Sequence, residues 1–369
     1  MKLVHRVTSL SRLVMAFTRP QVHRFVSMEL TRFCNRRCIY CNVPDLYQPE
    51  QELSMQEAIG LVDRVANWGY CILSIVGGET LVPRRTREGI GIRDKTLRVI
   101  KHAVQRGLLT NLTTNGDFLN SIVIHQLASA GLSSMCLSLH TYTKEGVDVL
   151  LAKAQEVATA GIVPSISIVF TAPRSSTLAA VARYIISRGI LVGVGLCQDF
   201  GGSFSSQCSD LVPSLDQQAT VFEALLKLKG SGLLRTNKRY LQEAPAHYPN
   251  SWVCDPLHDE FLQIGADGMA NVCSEVRTDI QLLQIDNLND KQWRNTKAAL
   301  VGSCRGCLHQ CYYEAQNPDP FGDIPTCIAG YLIASGKHNL VKLWGKTWAK
   351  SVAATYRSVD WNCLPTSIG

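Results

Sequence analysis

Cys34-Asn35-Arg36-Arg37-Cys38-Ile39-Tyr40-Cys41 sets three cysteines on one short loop. Three thiolates so spaced can hold three irons of a cubane [4Fe–4S] cluster and leave the fourth iron without a protein ligand. Most such clusters use four cysteines, so a set of three points to chemistry at the open iron. The bland alternative is a zinc site. An apolar stretch, Phe25-Val26-Ser27-Met28-Glu29-Leu30, precedes the loop and predicts a strand with the cysteines at its C-terminal end.

Outward from this loop, short apolar runs alternate with amphipathic segments. Strands are predicted at Cys71–Val76, Leu109–Thr114, Ser133–Leu139, Pro164–Phe170 and Ile190–Cys197. Helices are predicted from Ser54 to Trp68 and over roughly 94–106, 117–130, 143–160 and 175–188. Ser54 and Glu57 form a capping box, and Gly107, Gly131, Gly161 and Gly189 stand where helices would end. The spacing implies an α/β fold with a parallel sheet and helical crossovers. Pattern alone does not separate a partial barrel from a doubly wound sheet.

Such folds gather function at the C-terminal ends of their strands. Gly77-Gly78-Glu79-Thr80 follows the second strand, with two glycines that permit close backbone approach and an acceptor for an ammonium group in Glu79. Thr113-Thr114-Asn115-Gly116 ends the third strand and Ser138-Leu139-His140 the fourth, while Gly193 and Gly195 straddle the sixth. Each also has a plain reading: an Asn-Gly turn, a hydrogen-bonded buried histidine, and glycines that relieve packing.

The Cys-x3-Cys-x2-Cys run, with Tyr40 at its aromatic position, resembles the radical S-adenosylmethionine (radical SAM) superfamily, and the likeness extends over residues 25 to about 200. It implies a partial (β/α)6 TIM-type barrel in which Cys34, Cys38 and Cys41 hold a [4Fe–4S] cluster and S-adenosylmethionine chelates the open iron. Gly77, Gly78 and Glu79 match a Gly-Gly-Glu-Pro motif for the cofactor's amino group, with Thr80 in place of proline. Thr114 and Asn115 match a Thr-Asn-Gly run near the methionine portion, Ser138 would reach the ribose or carboxylate, and Tyr40 completes the expected cofactor set. His140 stands where similar proteins carry an acid. No catalytic side chain is singled out.

Of the other cysteines, Cys71, Cys136 and Cys197 lie in apolar strand runs and read as small core hydrophobes. Cys208 and Cys363 have no assigned role. Cys254, Cys273, Cys304, Cys307, Cys311 and Cys327 form a second metal-ligand set, and an Asp267-Gly268 hairpin would bring Cys254 and Cys273 together. Four ligands suffice for one auxiliary [4Fe–4S] cluster and six nearly supply two, with zinc the alternative. The set resembles a shortened SPASM/twitch appendage of radical SAM enzymes, which implies one auxiliary cluster. The run from Cys304 to Ala315 also resembles the C-terminal run of adenosyl-hopene transferases, which modify a membrane lipid.

The chain has 369 residues, 46% of them hydrophobic, with 14 cysteines and a net charge of +7. That length suits a barrel with appendages. Its expected layout is an N-terminal amphipathic helix (1–24), the barrel (25–200), a helical linker (201–250), the cysteine-rich domain (251–330) and a C-terminal amphipathic helix (331–369). With neither a signal h-region nor an apolar run of membrane-spanning length, the expected location is the cytoplasm, where thiols stay reduced. Residues 1–37 carry eight Lys or Arg against Glu29, and 331–369 carry five against Asp360. Without aromatic interleaving these ends do not read as nucleic-acid binding. In the last segment Leu340, Trp344, Trp348, Val352 and Tyr356 share one face opposite Lys342, Lys346 and Lys350, a pattern for packing on the barrel or for peripheral membrane contact.

The resemblance implies an enzyme, an oxidoreductase or transferase, that cleaves S-adenosylmethionine reductively to a 5′-deoxyadenosyl radical. The radical would abstract hydrogen from a peptide or small-metabolite substrate, with electrons from a flavodoxin or ferredoxin and an oxidation or cross-link as outcome. The alternatives are a radical SAM transferase or modifier of a membrane lipid, and a non-catalytic metal-binding or electron-transfer protein.

Overall fold

The computed structural model describes residues 25–198, 209–249 and 251–352. The expected N-terminal helix, Cys208, Tyr356 and Cys363 lie outside them. Six parallel strands appear where the apolar runs predict them: β1 Phe25–Thr31, β2 Ile72–Gly77, β3 Leu109–Thr114, β4 Ser134–Ser138, β5 Val163–Phe170 and β6 Leu191–Leu196. The crossovers carry α1 Met55–Asn67, α2 Ile92–Gln105, α3 Ser121–Ala130, α4 Lys144–Thr159 and α5 Leu178–Ile186. The capping box at α1 is formed, with Glu57 N–H donating to Ser54 Oγ at 3.2 Å and Ser54 N–H to Glu57 Oε2 at 2.7 Å. Helix α3 starts later than its apolar pattern suggests, because the Asn120 side chain caps it by accepting from Val123 N–H at 3.0 Å.

The sheet extends beyond six strands. β7 Phe261–Ile264 pairs parallel with the free edge of β1, and β8 Ala270–Asn271 returns antiparallel to β7. The order is β6-β5-β4-β3-β2-β1-β7-β8, an open partial barrel of the α/β class rather than a closed one. The expected Asp267-Gly268 turn is thus part of the barrel sheet. On the far edge, residues 233–236 cover β6: Val192 N–H donates to Leu233 C=O at 2.8 Å and Arg235 N–H to Val192 C=O at 2.7 Å. Both edges are therefore masked from chance pairing. α6 Leu215–Lys229 and α7 Lys238–Glu243 precede β7, and α8 Lys291–Ser303, α9 Gln310–Gln316, α10 Pro320–Ala334 and α11 His338–Ser351 follow β8.

Side chains alternate across the strands. Leu73, Ile75, Leu112, Met135, Leu137, Ile166 and Ile168 are buried in the core with the helices. The opposite, inner face is polar: Asn111 Nδ2 donates to Ser74 Oγ at 2.9 Å, and Ser134 Oγ to Asn111 Oδ1 at 2.9 Å. Cys71 and Cys197 are buried as expected, but Cys136 is half-buried because its position in β4 puts it on the inner face with Ser134 and Ser138.

Helix α11 also departs from its predicted face. Val341, Gly345 and Ala349 are buried, whereas Leu340 and Trp344 are exposed. A Cβ on Gly345 would stand 2.2 Å from Ile186 C=O, so backbone contact at a glycine, rather than the row of large residues, sets the packing face.

One buried ion network ties the β7–β8 hairpin to the end of β1. Arg32 donates from Nε to Glu29 at 3.0 Å and from Nη2 to Asp267 at 2.8 Å, and Arg277 stands 3.5 Å from Glu29. Glu52 accepts from Thr31 Oγ1 at 2.6 Å and Arg32 N–H at 2.8 Å. Replacing Arg32 with Met strips Glu29 and Asp267 of a shared partner. Denaturant unfolding of the metal-free protein should show a loss of about 3–5 kcal/mol.

Candidate active site and auxiliary cysteine centre

The cysteine loop leaves β1 over a register irregularity between Glu29 and Thr31 and is gripped at once by the loop after β2. Gly78 N–H donates to Thr31 C=O at 2.8 Å and Glu79 N–H to Phe33 C=O at 2.7 Å. Contact this close excludes side chains: a Cβ on Gly77 would lie 2.2 Å from Thr31 C=O, and one on Gly78 2.0 Å from Phe33 C=O. Gly77 further adopts φ +121°, outside the range of ordinary L residues. The two glycines seat the cysteine loop itself.

Glu79 is buried and accepts from Leu81 N–H at 3.0 Å, Thr114 Oγ1 at 2.8 Å and Asn115 N–H at 2.8 Å. Burial raises its pKa, against those hydrogen bonds, which lower it. The three residues read from the sequence as separate cofactor contacts thus form one brace between the loops after β2 and β3. Asn115 continues it by donating to Asn35 Oδ1 at 2.8 Å. Asp117, which the sequence reading missed, completes it: its carboxylate accepts from Asn35 Nδ2 at 2.7 Å and from Arg36 Nε and Nη2 at 2.8 and 2.6 Å. The Arg36 bonds hold Asp117 below its ordinary pKa. A carboxylate just past a Thr-Asn-Gly run, within reach of an Asn-Arg pair between cysteines, was the available signal.

The end of β4 approaches from the other side. His140 Nδ1 lies 3.5 Å from Cys38 Sγ and 3.4 Å from the Tyr40 hydroxyl. Burial pulls His140 down to about 4, so the imidazole is neutral. Buried Arg174 stacks on the Tyr142 ring at 3.6 Å and donates to its hydroxyl at 3.0 Å. Ser138 is half-buried on the inner face at the end of β4, paired in register with Ser167. Cys34 accepts from Arg36 N–H at 3.4 Å, and burial pushes the Cys41 thiol up to about 11.

The second cysteine set divides. Cys254, Cys273, Cys304 and Cys307 line one pocket with Val272, Val276, Leu300, Val301 and Tyr312. Cys311 is on α9, Cys327 on α10, and neither joins this lining. Backbone N–H groups already point at three of the four sulfurs: Val276 to Cys273 at 3.2 Å, Gly306 to Cys304 at 3.4 Å and His309 to Cys307 at 3.5 Å. Burial raises the thiols, Cys273 to about 12 and Cys307 to about 11. Among the described residues no three His, Cys, Asp or Glu side chains converge on a single-ion geometry. Four sulfurs around an apolar pocket, with N–H donors aimed at three of them, form a ligand set that suits an iron–sulfur cluster or a zinc ion. Asn42, next to Cys41, donates to Glu275 at 2.9 Å, and Glu275 also lines the pocket. A direct hydrogen bond therefore links the two cysteine sites.

Two consequences can be measured. Asp117→Asn weakens the Arg36 clasp at a partly exposed site, so stability should change by less than about 1 kcal/mol. Iron held at Cys34, Cys38 and Cys41 should nonetheless be lost to a chelator on the order of tenfold faster. Half-buried Glu314 accepts from Asn237 N–H at 2.7 Å and Gln310 Nε2 at 2.8 Å, and burial raises its pKa from 4.5 to about 7. Because the folded value is raised, its favourable contribution is complete below 4.5 and lost as pH rises through about 7. Thermal melts of Glu314→Gln should lack that fall.

Residues 28–159 match the model of the radical SAM superfamily. The chain is 30% identical over 117 residues to an AdoMet-dependent heme synthase of Methanosarcina barkeri, covering 31% of each chain. It is 25% identical over 267 residues to a PqqA peptide cyclase of Granulibacter bethesdensis, covering 68% of this chain and 67% of that one. The chain thus spans about a third of the first relative's length and two thirds of the second's. In fold it is similar to Streptococcus suis SuiB bound to S-adenosylmethionine, with TM-score 0.58 and 15% identity over 75% of this chain and 68% of that one. It is likewise similar to anSMEcpe with bound AdoMet and a peptide, with TM-score 0.56 and 13% identity over 87% and 99%. The three-cysteine loop and the glycine grip beneath it both fall within residues 28–159, the stretch that matches the radical SAM superfamily.

Proposed function

We propose that this protein is a radical SAM enzyme acting on a peptide, with an auxiliary [4Fe–4S] cluster on Cys254, Cys273, Cys304 and Cys307. The observation that carries the reading is the four-cysteine pocket joined to the cysteine loop through Asn42 and Glu275. A group that stores an electron one hydrogen bond away from the first site suits an oxidation or cross-link of substrate. The peptide class is supported by the extended similarity to the PqqA peptide cyclase. SuiB solved with its precursor peptide is in keeping with it.

When bound, the cluster and S-adenosylmethionine supply a 5′-deoxyadenosyl radical by reductive cleavage. Cys34, Cys38 and Cys41 would hold that cluster. The remaining work falls to the chain. The Glu79–Thr114–Asn115 brace and the Arg36–Asp117 clasp fix the loop against the ends of β2 and β3, leaving the Gly77-Gly78 backbone for the cofactor's amino end. Neutral His140 and Tyr40 face Cys38 without adding a cation. The Ser74–Asn111–Ser134 ladder gives the inner face hydrogen-bonding groups for a polar chain. A flavodoxin or ferredoxin would deliver the electrons.

The test is anaerobic reconstitution followed by assay for iron and for 5′-deoxyadenosine with dithionite. A Cys34/Cys38/Cys41 triple alanine variant should lose all cleavage and keep about four irons. A Cys254/Cys273/Cys304/Cys307 quadruple alanine variant should keep cleavage but lose peptide product. Unimpaired cleavage in the first variant, or a zinc-loaded protein without cleavage, would refute the assignment.

A further inference from the structure

Helices α10 and α11 carry a surface that the proposed reaction does not use. Fourteen large hydrophobic side chains are exposed among the described residues, and six of them fall between residues 324 and 344. Ile324, Ile328 and Tyr331 are 49%, 55% and 53% exposed along one side of α10, and Leu340, Leu343 and Trp344 are 56%, 63% and 60% exposed on α11. A three-residue turn joins the two helices, which pack on each other.

These side chains do not reflect a loose helix. Val341, Gly345 and Ala349 fix the opposite side of α11 in the body of the protein. The Lys342 backbone lies against Gly189, where an added Cβ would meet it at 2.5 Å. Trp344 Nε1 donates to Ser231 C=O at 2.9 Å, so the indole's polar group is satisfied while most of its ring faces outward. The helix is anchored on one side and presents apolar and aromatic groups on the other.

Charge identifies the occupant. Residues 324–352 contain no Asp or Glu, whereas Lys337, Lys342, Lys346 and Lys350 are basic. Outward apolar and aromatic side chains interleaved with lysines match an anionic bilayer surface, into which the rings insert while the ammonium groups remain at the phosphate level. A second copy fits poorly, since pairing two such faces would set lysines against lysines. We propose that the α10–α11 face docks this protein on an anionic lipid surface as a peripheral protein. Among the described residues no helix is long and apolar enough to cross a membrane, so the contact would be interfacial.

The experiment is co-sedimentation of the full chain with vesicles of phosphatidylcholine alone and with about 30% phosphatidylglycerol, at low and high salt. Binding to the anionic vesicles should exceed binding to the neutral ones by about tenfold or more and fall with salt. Leu343→Asp with Ile328→Asp should abolish it. Lys346→Gln with Lys350→Gln, two exposed positions that leave the apolar groups intact, should weaken it by about tenfold with an unchanged thermal melt. No sedimentation of the wild type, equal binding to both vesicle types, or indifference to the lysine variant would overturn the proposal. So would self-association in sedimentation velocity that Leu343→Asp removes, since it would assign the face to a second copy.

Discussion

The carbonyls of Thr31 and Phe33 are met by the N–H groups of Gly78 and Glu79 so closely that a Cβ at either glycine would overlap them. Much of the site depends on this contact. It carries the parallel pairing of β1 and β2 past the end of the strands, so the cysteine loop begins from a fixed backbone instead of a free one. A loop that must place three sulfurs around one group loses entropy when it orders, and two backbone hydrogen bonds at its root meet part of that cost during folding.

From this root the loops after β2 and β3 are fastened to one another and to the cysteine run. Glu79 would be costly to bury alone, yet it is supplied with donors from Leu81, Thr114 and Asn115. Asn35, Arg36 and Asp117 bind the cysteine run to the same brace. The auxiliary cysteines reach this assembly by way of the sheet. β7 pairs with β1, the β7–β8 turn is held by Arg32, and Cys273 follows β8. The Asn42–Glu275 hydrogen bond is therefore a consequence of strand pairing at the other edge of β1.

The strands were legible because parallel strands form short apolar runs closed by glycine-ended helices. Departures arose where packing outweighed pattern. Cys136 turns inward by strand parity, a one-residue matter that a run of apolar letters does not resolve. The row of large apolar residues on α11 left packing and surface contact both open, and a glycine against a backbone carbonyl makes the closest contact and fixes which face is buried. Asp117 was overlooked because its partners lie about 80 positions earlier in the chain.

Local chemistry could be read from the order of residues alone: a three-cysteine loop after a strand, glycines at a place of close approach, and a late cysteine pair separated by two residues. Such signals survive in one dimension because their spacing is their meaning. Folding in three dimensions was needed to settle which four of six later cysteines share a pocket, that Glu79 braces a loop, and that the hairpin joins the barrel sheet. Each of these relations brings together residues tens to hundreds of positions apart, where burial, hydrogen-bond satisfaction and strand register, not spacing, determine who meets whom.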